Sequence, residues 1–199
     1  MTTTATATDT HTATATDLAD PVVASLTAAF AADPVIRWFL PDPVAYLTWF
    51  PQFVRVAAET ADAAGSLAVD RDGAGAALWI AGGSAIDEEA FGGLVAASVP
   101  EDRHEEVFAV LELMDQHHPD EPVWYLPFMG VDPAHHGKGV GSELLRRGLR
   151  QADEAGAPAY LEASTERNRA LYERHGFEVV GEIAAGTAPP FWPMLRPAR

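Results

Sequence analysis

Apolar residues recur every four positions from Leu18 through Val22, Leu26 and Phe30, and the run stops at Asp33 and Pro34. That period predicts one face of an amphipathic helix with Asp17 as its N-cap. Upstream, residues 1–9 alternate Thr and Ala with little that could pack and are expected to be disordered, whereas the Thr-rich stretch from His11 to Thr16 suits a first strand. A second helix is predicted from Asp42, with Pro43 in its first turn, Tyr46, Trp49, Phe50, Phe53 and Val56 inward, Pro51 as a kink and Gly65 as the stop. Ser66–Asp70 and Ala76–Ile80 flank Arg71, Asp72 and Gly73, which signals a hairpin. Between Asp87 and His118 the helical period returns in two segments, one carrying Phe91, Leu94 and Val95 and the other Val107, Val110, Leu111 and Met114, parted by Pro100.

From Pro122 the pattern changes. Val123–Val131 reads as a strand, Gly139–Ala155 as a helix, Pro158–Ala163 as a strand, Asn168–His175 as a short helix, and Phe177–Ile183 and Phe191–Leu195 as strands joined by a turn at Gly186–Pro190. The first three form a βαβ unit, so the chain is of the α/β class. Neither a long linker nor an internal repeat interrupts residues 10–199, which read as a single domain.

With 48% apolar residues in 199, the chain can bury one substantial core. It has no cysteine, which excludes disulfides, thiolate metal sites and a cysteine nucleophile together. The first 17 residues hold no basic residue and no apolar run, and nothing approaches the roughly 20 uninterrupted apolar residues of a membrane span, so a soluble cytoplasmic protein is expected. A net charge of −16 argues against a nucleic-acid partner and suits either a cationic substrate or simply a solvated surface. No His pair has metal-ligand spacing, and His135 and His136 would point apart on an extended chain, so no metal is expected.

The chemistry concentrates where the strand to Val131 meets the helix from Gly139. His135–Gly141 reads HHGKGVG, followed by Ser142. Glycines at 137, 139 and 141 let the backbone turn sharply and approach a ligand, the first N–H groups of the helix point into the turn, and Lys138 adds positive charge beside it. This is an anion site fit for a pyrophosphate, or an ordinary tight strand-to-helix connection. The P-loop and dinucleotide spacings both fail here, which disfavours ATP and NAD.

Met129–Leu145 (MGVDPAHHGKGVGSELL) and Asn168–Phe177 (NRALYERHGF) resemble the acetyl-CoA-binding core of the GNAT superfamily of N-acetyltransferases. EPVWYL from Glu121, PAYLEAS from Pro158 and YERHGF from Tyr172 are similar to the puromycin N-acetyltransferase-like group within it. The resemblance is strong over Pro119–Arg196 and faint before, where AAFAADP at Ala28–Pro34 carries it.

The resemblance implies a mixed, mostly antiparallel, centrally splayed sheet flanked by helices. It places the family's glycine motif on His136, Gly139 and Gly141, with His136 where a Gln or Arg is usual. The amides of Gly137, Lys138, Gly139, Val140, Gly141 and Ser142 would hold the pyrophosphate. Pantetheine would lie along Met129, Gly130 and Val131 as an added strand, and Asn168 would contact its arm or cap its own helix.

It further implies direct transfer of the acetyl group to a primary amine of a small molecule, by a monomer or a homodimer, with Tyr172 as general acid rather than merely a core aromatic. Glu162 sits mid-strand among apolar residues, where it removes the amine proton, holds a cationic substrate or pairs with an arginine. His117 and His118 are a second base candidate, though their polar stretch before Pro119 reads more readily as a solvated loop. Two rival readings stand beside this one: a non-catalytic acyl-CoA-binding module, and a protein N-acetyltransferase with an open peptide groove.

Overall fold

The four-residue apolar spacing becomes helix α1, Ala15–Phe30, in the computed structural model, which describes residues 15–199. Val22 and Leu26 are buried on its inner face. The expected strand over His11–Thr16 is corrected where it can be read: Ala15 and Thr16 already belong to α1, and its other residues lie outside the described part together with the tail 1–9. A helix begins where its hydrogen-bond ladder begins, which need not be its first apolar residue.

The break at Asp33 and Pro34 proves to be the start of a helix that the apolar pattern does not reveal. Helix α2, Pro34–Phe39, is too short for a period to register; Asp33 caps it, with Oδ1 accepting from the N–H of Val35 and Ile36 at 3.0 and 3.1 Å. Helix α3, Pro43–Ala63, follows its prediction: Asp42 caps it, and Tyr46, Phe50 and Phe53 are buried while Trp49 and Val56 are partly so. The hairpin forms from β1, Leu67–Val69, and β2, Gly75–Ile80. Helices α4, Glu88–Ser98, and α5, His104–His117, are parted at Pro100 by one 3₁₀ turn.

The second half builds β3, Trp124–Val131; α6, Val140–Glu154; β4, Ala159–Ala163; α7, Glu166–Glu173; β5, Glu178–Val179; and β6, Trp192–Arg196. The long strand expected over Phe177–Ile183 is cut to β5 and a lone bridge from Ile183 to Phe191. Between them Gly181 lies against the His117 ring, an approach open only to a residue without a Cβ, since one would come within 2.5 Å of it.

The sheet order is β1-β2-β3-β4-β6-β5, and β3–β4 is its one parallel pair among the described strands. Leu78 pairs with Phe128 but Ile80 with Tyr125, so β3 carries one extra residue at Leu126–Pro127, a bulge. β3 meets β4 only at Trp124–Ala159 and Tyr125–Tyr160; beyond that point β3 stays with β2 and β4 with β6. The expected central splay is therefore present, and the bulge sits at its apex.

Each face of the sheet has its own core. One packs Leu26, Phe50, Val54, Leu78 and Phe128 beneath α1, α3 and α4, with Phe50 and Phe128 edge to face at 5.6 Å. The other packs Trp79, Leu145, Leu161, Phe177 and Met194 with α6 and α7. Among the described residues no helix is long and apolar enough to cross a membrane.

Candidate active site

A cleft of about 370 Å³ occupies the splay. Its floor is the end of β3, its roof α7, and its far wall the glycine turn with the first turn of α6. Asp132 caps a 3₁₀ turn at Pro133–His135, after which Gly137 and Gly139 take φ of 76° and 83°, a left-handed backbone that a side chain would strain. A Cβ at either would meet nothing within 4 Å, so open space lies beside both. Gly139 caps α6 without a side-chain acceptor, which leaves the helix's first N–H groups for a ligand.

The edge of β3 is available in the same cleft. The N–H of Asp132 donates to Ala74 on the β2 side, so by antiparallel alternation the N–H and C=O of Val131 and Met129 face the splay. His136, the departure at the motif's first position, donates from Nε2 to the Val131 carbonyl at 2.9 Å. The ring thus pins the turn to the strand and leaves the Val131 N–H and the Met129 groups to an added strand.

Of the residues singled out by sequence, Met129, Gly130, Val131, His136, Gly137 and Gly139 line this cleft, as do Val140, Gly141, Ser142, Asn168 and Tyr172. Lys138 and Glu162 do not. Tyr172 is buried against Phe177, ring centroids 5.9 Å apart. Burial, and after it the Asp33 carboxylate, holds its hydroxyl proton well above the usual phenol range, so it is a donor at every working pH. Asn168 does not cap α7: Thr165 does, its hydroxyl accepting from the Asn168 N–H at 3.1 Å, and the Asn168 side chain is left to the cleft.

Four polar lining residues were not among the expected site residues: Asp33, His135, Arg167 and Arg174. Arg167 and Leu171 on α7 and Arg174 at its C-cap stand at i, i+4 and i+7, a spacing that would have shown two cations on one face. Together with the start of α6 they make the cleft electropositive within an acidic chain.

Glu162 lies in a different setting. The Tyr125 hydroxyl donates to its Oε2 at 3.0 Å, and among the described residues no arginine pairs with it. His118, expected in a solvated loop, instead packs edge-on against Tyr125 at 5.3 Å and Tyr160 at 4.9 Å. Burial pushes the Glu162 carboxyl up to about 7, against the Tyr125 hydrogen bond, which lowers it. A folded-state value above the unfolded one means that between pH ~4.5 and ~7 the native state keeps a proton the unfolded chain has lost, so stability falls as pH rises through that window. Glu162→Gln removes this loss: in urea titrations wild-type protein should lose about 2–3 kcal/mol more than the variant between pH ~5 and ~8.

Residues 35–177 match the sequence profile of the acetyltransferase (GNAT) family. A mycothiol acetyltransferase of Propionibacterium freudenreichii is 43% identical over 74 residues, 36% of this chain and 22% of that protein. The N-alpha-acetyltransferase RimI of Mycobacterium tuberculosis is 46% identical over 55 residues, 27% of this chain and 34% of that protein. These matches therefore span only about a fifth to a third of the relatives' own lengths. Among solved structures, a histone acetyltransferase HPA2 and related acetyltransferase from Corynebacterium glutamicum superposes with a TM-score of 0.67 and 26% identity, covering 94% of each chain. Arylalkylamine N-acetyltransferase 2 from Aedes aegypti shares the fold at a TM-score of 0.60 and 14% identity, over 90% of this chain and 94% of that one.

Proposed function

This chain belongs to the acetyltransferase (GNAT) family, and on that premise we propose that residues 10–199 act as one domain that moves the acetyl group of acetyl-CoA directly onto a primary amine of a small molecule. The observation that carries this reading is the meeting, in one cleft, of the glycine turn, the free edge of β3 and the Tyr172 hydroxyl. Acetyl-CoA supplies an activated thioester. The amides at the start of α6 hold its pyrophosphate, with Arg167 and Arg174 beside them, and the Met129 and Val131 backbone holds the pantetheine amides. The residues present fit the cosubstrate, because the turn is open above Gly137 and Gly139 and lined by donors and cations.

Tyr172 donates to the leaving sulfur, and no covalent enzyme intermediate is required. Glu162 is a positioning residue in this scheme: it accepts from the Tyr125 hydroxyl and fixes that side chain at the apex of the splay.

A small acceptor is favoured over a peptide by a seam of contacts that closes the loop before β6. Trp38 Nε1 donates to the Thr187 hydroxyl at 3.0 Å, and Thr187 donates to Glu106 from its hydroxyl at 2.7 Å and its N–H at 2.6 Å. Arg103 stacks over Trp38 at 5.0 Å and bonds its carbonyl at 2.9 Å. The loop before β6 is thereby stitched to α2 and α5, and we read this closed seam as the wall of a pocket for a small acceptor. The finer resemblance to puromycin N-acetyltransferase directs the test toward aminoacyl antibiotics.

Incubation with acetyl-CoA and a panel of primary amines that includes puromycin, with products read by mass spectrometry, is expected to return a singly acetylated small amine. Acetylation confined to peptide N-termini would favour the protein acetyltransferase, and cofactor binding without transfer to any amine would favour the sensor.

A further inference from the structure

One segment crosses the gap where β3 and β4 part. The end of α1 lies tightly on β3, with the Ala29 methyl 2.5 Å from where a Gly130 Cβ would stand, and Asp33 reaches from the next link to the far side. There Ser164, just past β4, donates its hydroxyl to Asp33 Oδ2, while Oδ1 is occupied by the cap of α2. Capping needs one oxygen; the second is held by a different element across the splay. Among the described residues Asp33 is the one carboxylate that lines the cleft shared by Tyr172 and the glycine turn. Its titratable and charged neighbours are Tyr172 from α7, whose proton it helps to hold, and Tyr46 from α3 with Arg37 of α2. The side chain is half-buried; Oδ1 is filled by its two cap bonds, and Oδ2, which takes one bond from Ser164, keeps a lone pair for a further donor.

Resting on the acetyl-transfer reading above, we propose that Asp33 is a catalytic residue: it receives the acceptor's ammonium at the mouth of the splay and takes its proton. The ammonium binds the fixed carboxylate as an ion pair. On a half-buried carboxylate held by its cap and by Ser164 both charges lose part of their hydration, so the neutral pair of free amine and carboxylic acid competes with the ion pair. The freed lone pair forms the N–C bond to the thioester carbonyl, the C–S bond breaks, and sulfur leaves with the electron pair. Of the two protons the nitrogen gives up, one passes through Asp33 to water. The other replaces the proton that Tyr172 donates to sulfur, so the products are an amide, a free thiol and one proton. Asp33 thereby selects amines that are charged at neutral pH.

Asp33→Asn keeps a capping oxygen, and its Nδ2–H can donate to the Ser164 hydroxyl, so that bond is kept with its direction reversed. With puromycin and phenethylamine as probes, its kcat/KM near neutral pH should fall at least ~30-fold, within the range of a lost general base. Acetyl-CoA affinity should stay within about twofold, because none of the groups assigned to the pyrophosphate and pantetheine is changed. The deficit should shrink as pH approaches the amine's own pKa, where free base arrives without help; a structural defect would lower the rate equally at every pH. If the variant fails to bind acetyl-CoA, Asp33→Ser, which keeps a capping hydroxyl, carries the same test. Unchanged kcat/KM, or a loss independent of pH, overturns the role of Asp33 alone. Wild-type protein that acetylates neither probe nor any panel amine overturns the transfer reading and this proposal with it.

Discussion

Replacing Tyr172 by phenylalanine is expected to lower kcat by about 10²–10³-fold while acetyl-CoA affinity stays within a few-fold. The change removes one oxygen and keeps the ring that packs on Phe177 in the core beneath α7. What it takes away is a donor that burial and the Asp33 charge keep protonated. Such a phenol is a weak acid, so it helps little until charge develops on the departing sulfur, and an interaction made only in the transition state appears in kcat rather than in KM. Steady-state kinetics beside a binding titration check this directly. A drop in affinity equal to the drop in kcat/KM would mean that Tyr172 serves binding or packing instead.

Gly148→Ala should cost about 3 kcal/mol or more, the upper part of the range for overpacking a core. Gly148 lies in the middle of α6, where the helix crosses β2, and a Cβ there would stand 1.9 Å from Nε1 and 2.2 Å from Cε2 of Trp79. Trp79 is fully buried and has Trp124 at 6.5 Å on another side, so its ring has nowhere to go, and the helix must lift away from the sheet instead. For a chain of this size the loss corresponds to a Tm lower by roughly 6–12 °C. Trp79→Phe should restore part of the loss in the double variant, because the clash and the extra ring occupy the same space, and a double-mutant cycle reads that coupling. Additive losses would show that the contact is not what destabilises the helix.

The reasons some of this was legible in the sequence and some was not are physical. The cofactor side is built from contiguous segments: a strand, a glycine turn and the first turn of a helix follow one another from Met129 to Ser142, so local spacing carries the whole arrangement. Tyr172 and Asn168 belong to the same short helix and share its phase. The acceptor side is assembled from distant pieces. Nothing near Asp33 in sequence announces Ser164, 131 positions away, and a cap before proline reads equally well as the mere end of a helix. Helix α2 was missed because six residues hold fewer than two turns. The fate of Glu162 likewise depended on Tyr125, 37 positions earlier, reaching it across a strand pair. His118 was misread for the same reason, since its polar sequence neighbours say nothing of the two tyrosines it packs on in space.

The measurement that bears most directly on the account is a calorimetric titration of acetyl-CoA into wild-type protein and Gly139→Val. Any side chain at 139 strains a backbone with φ of 83° and projects into the open space where the pyrophosphate would sit. The expected result is one site in the wild type and an affinity at least tenfold weaker in the variant, about 1.4 kcal/mol or more, with both proteins folded. Wild-type protein that fails to bind acetyl-CoA, or a variant that binds it equally well, would contradict the assignment of the glycine turn as the cofactor site.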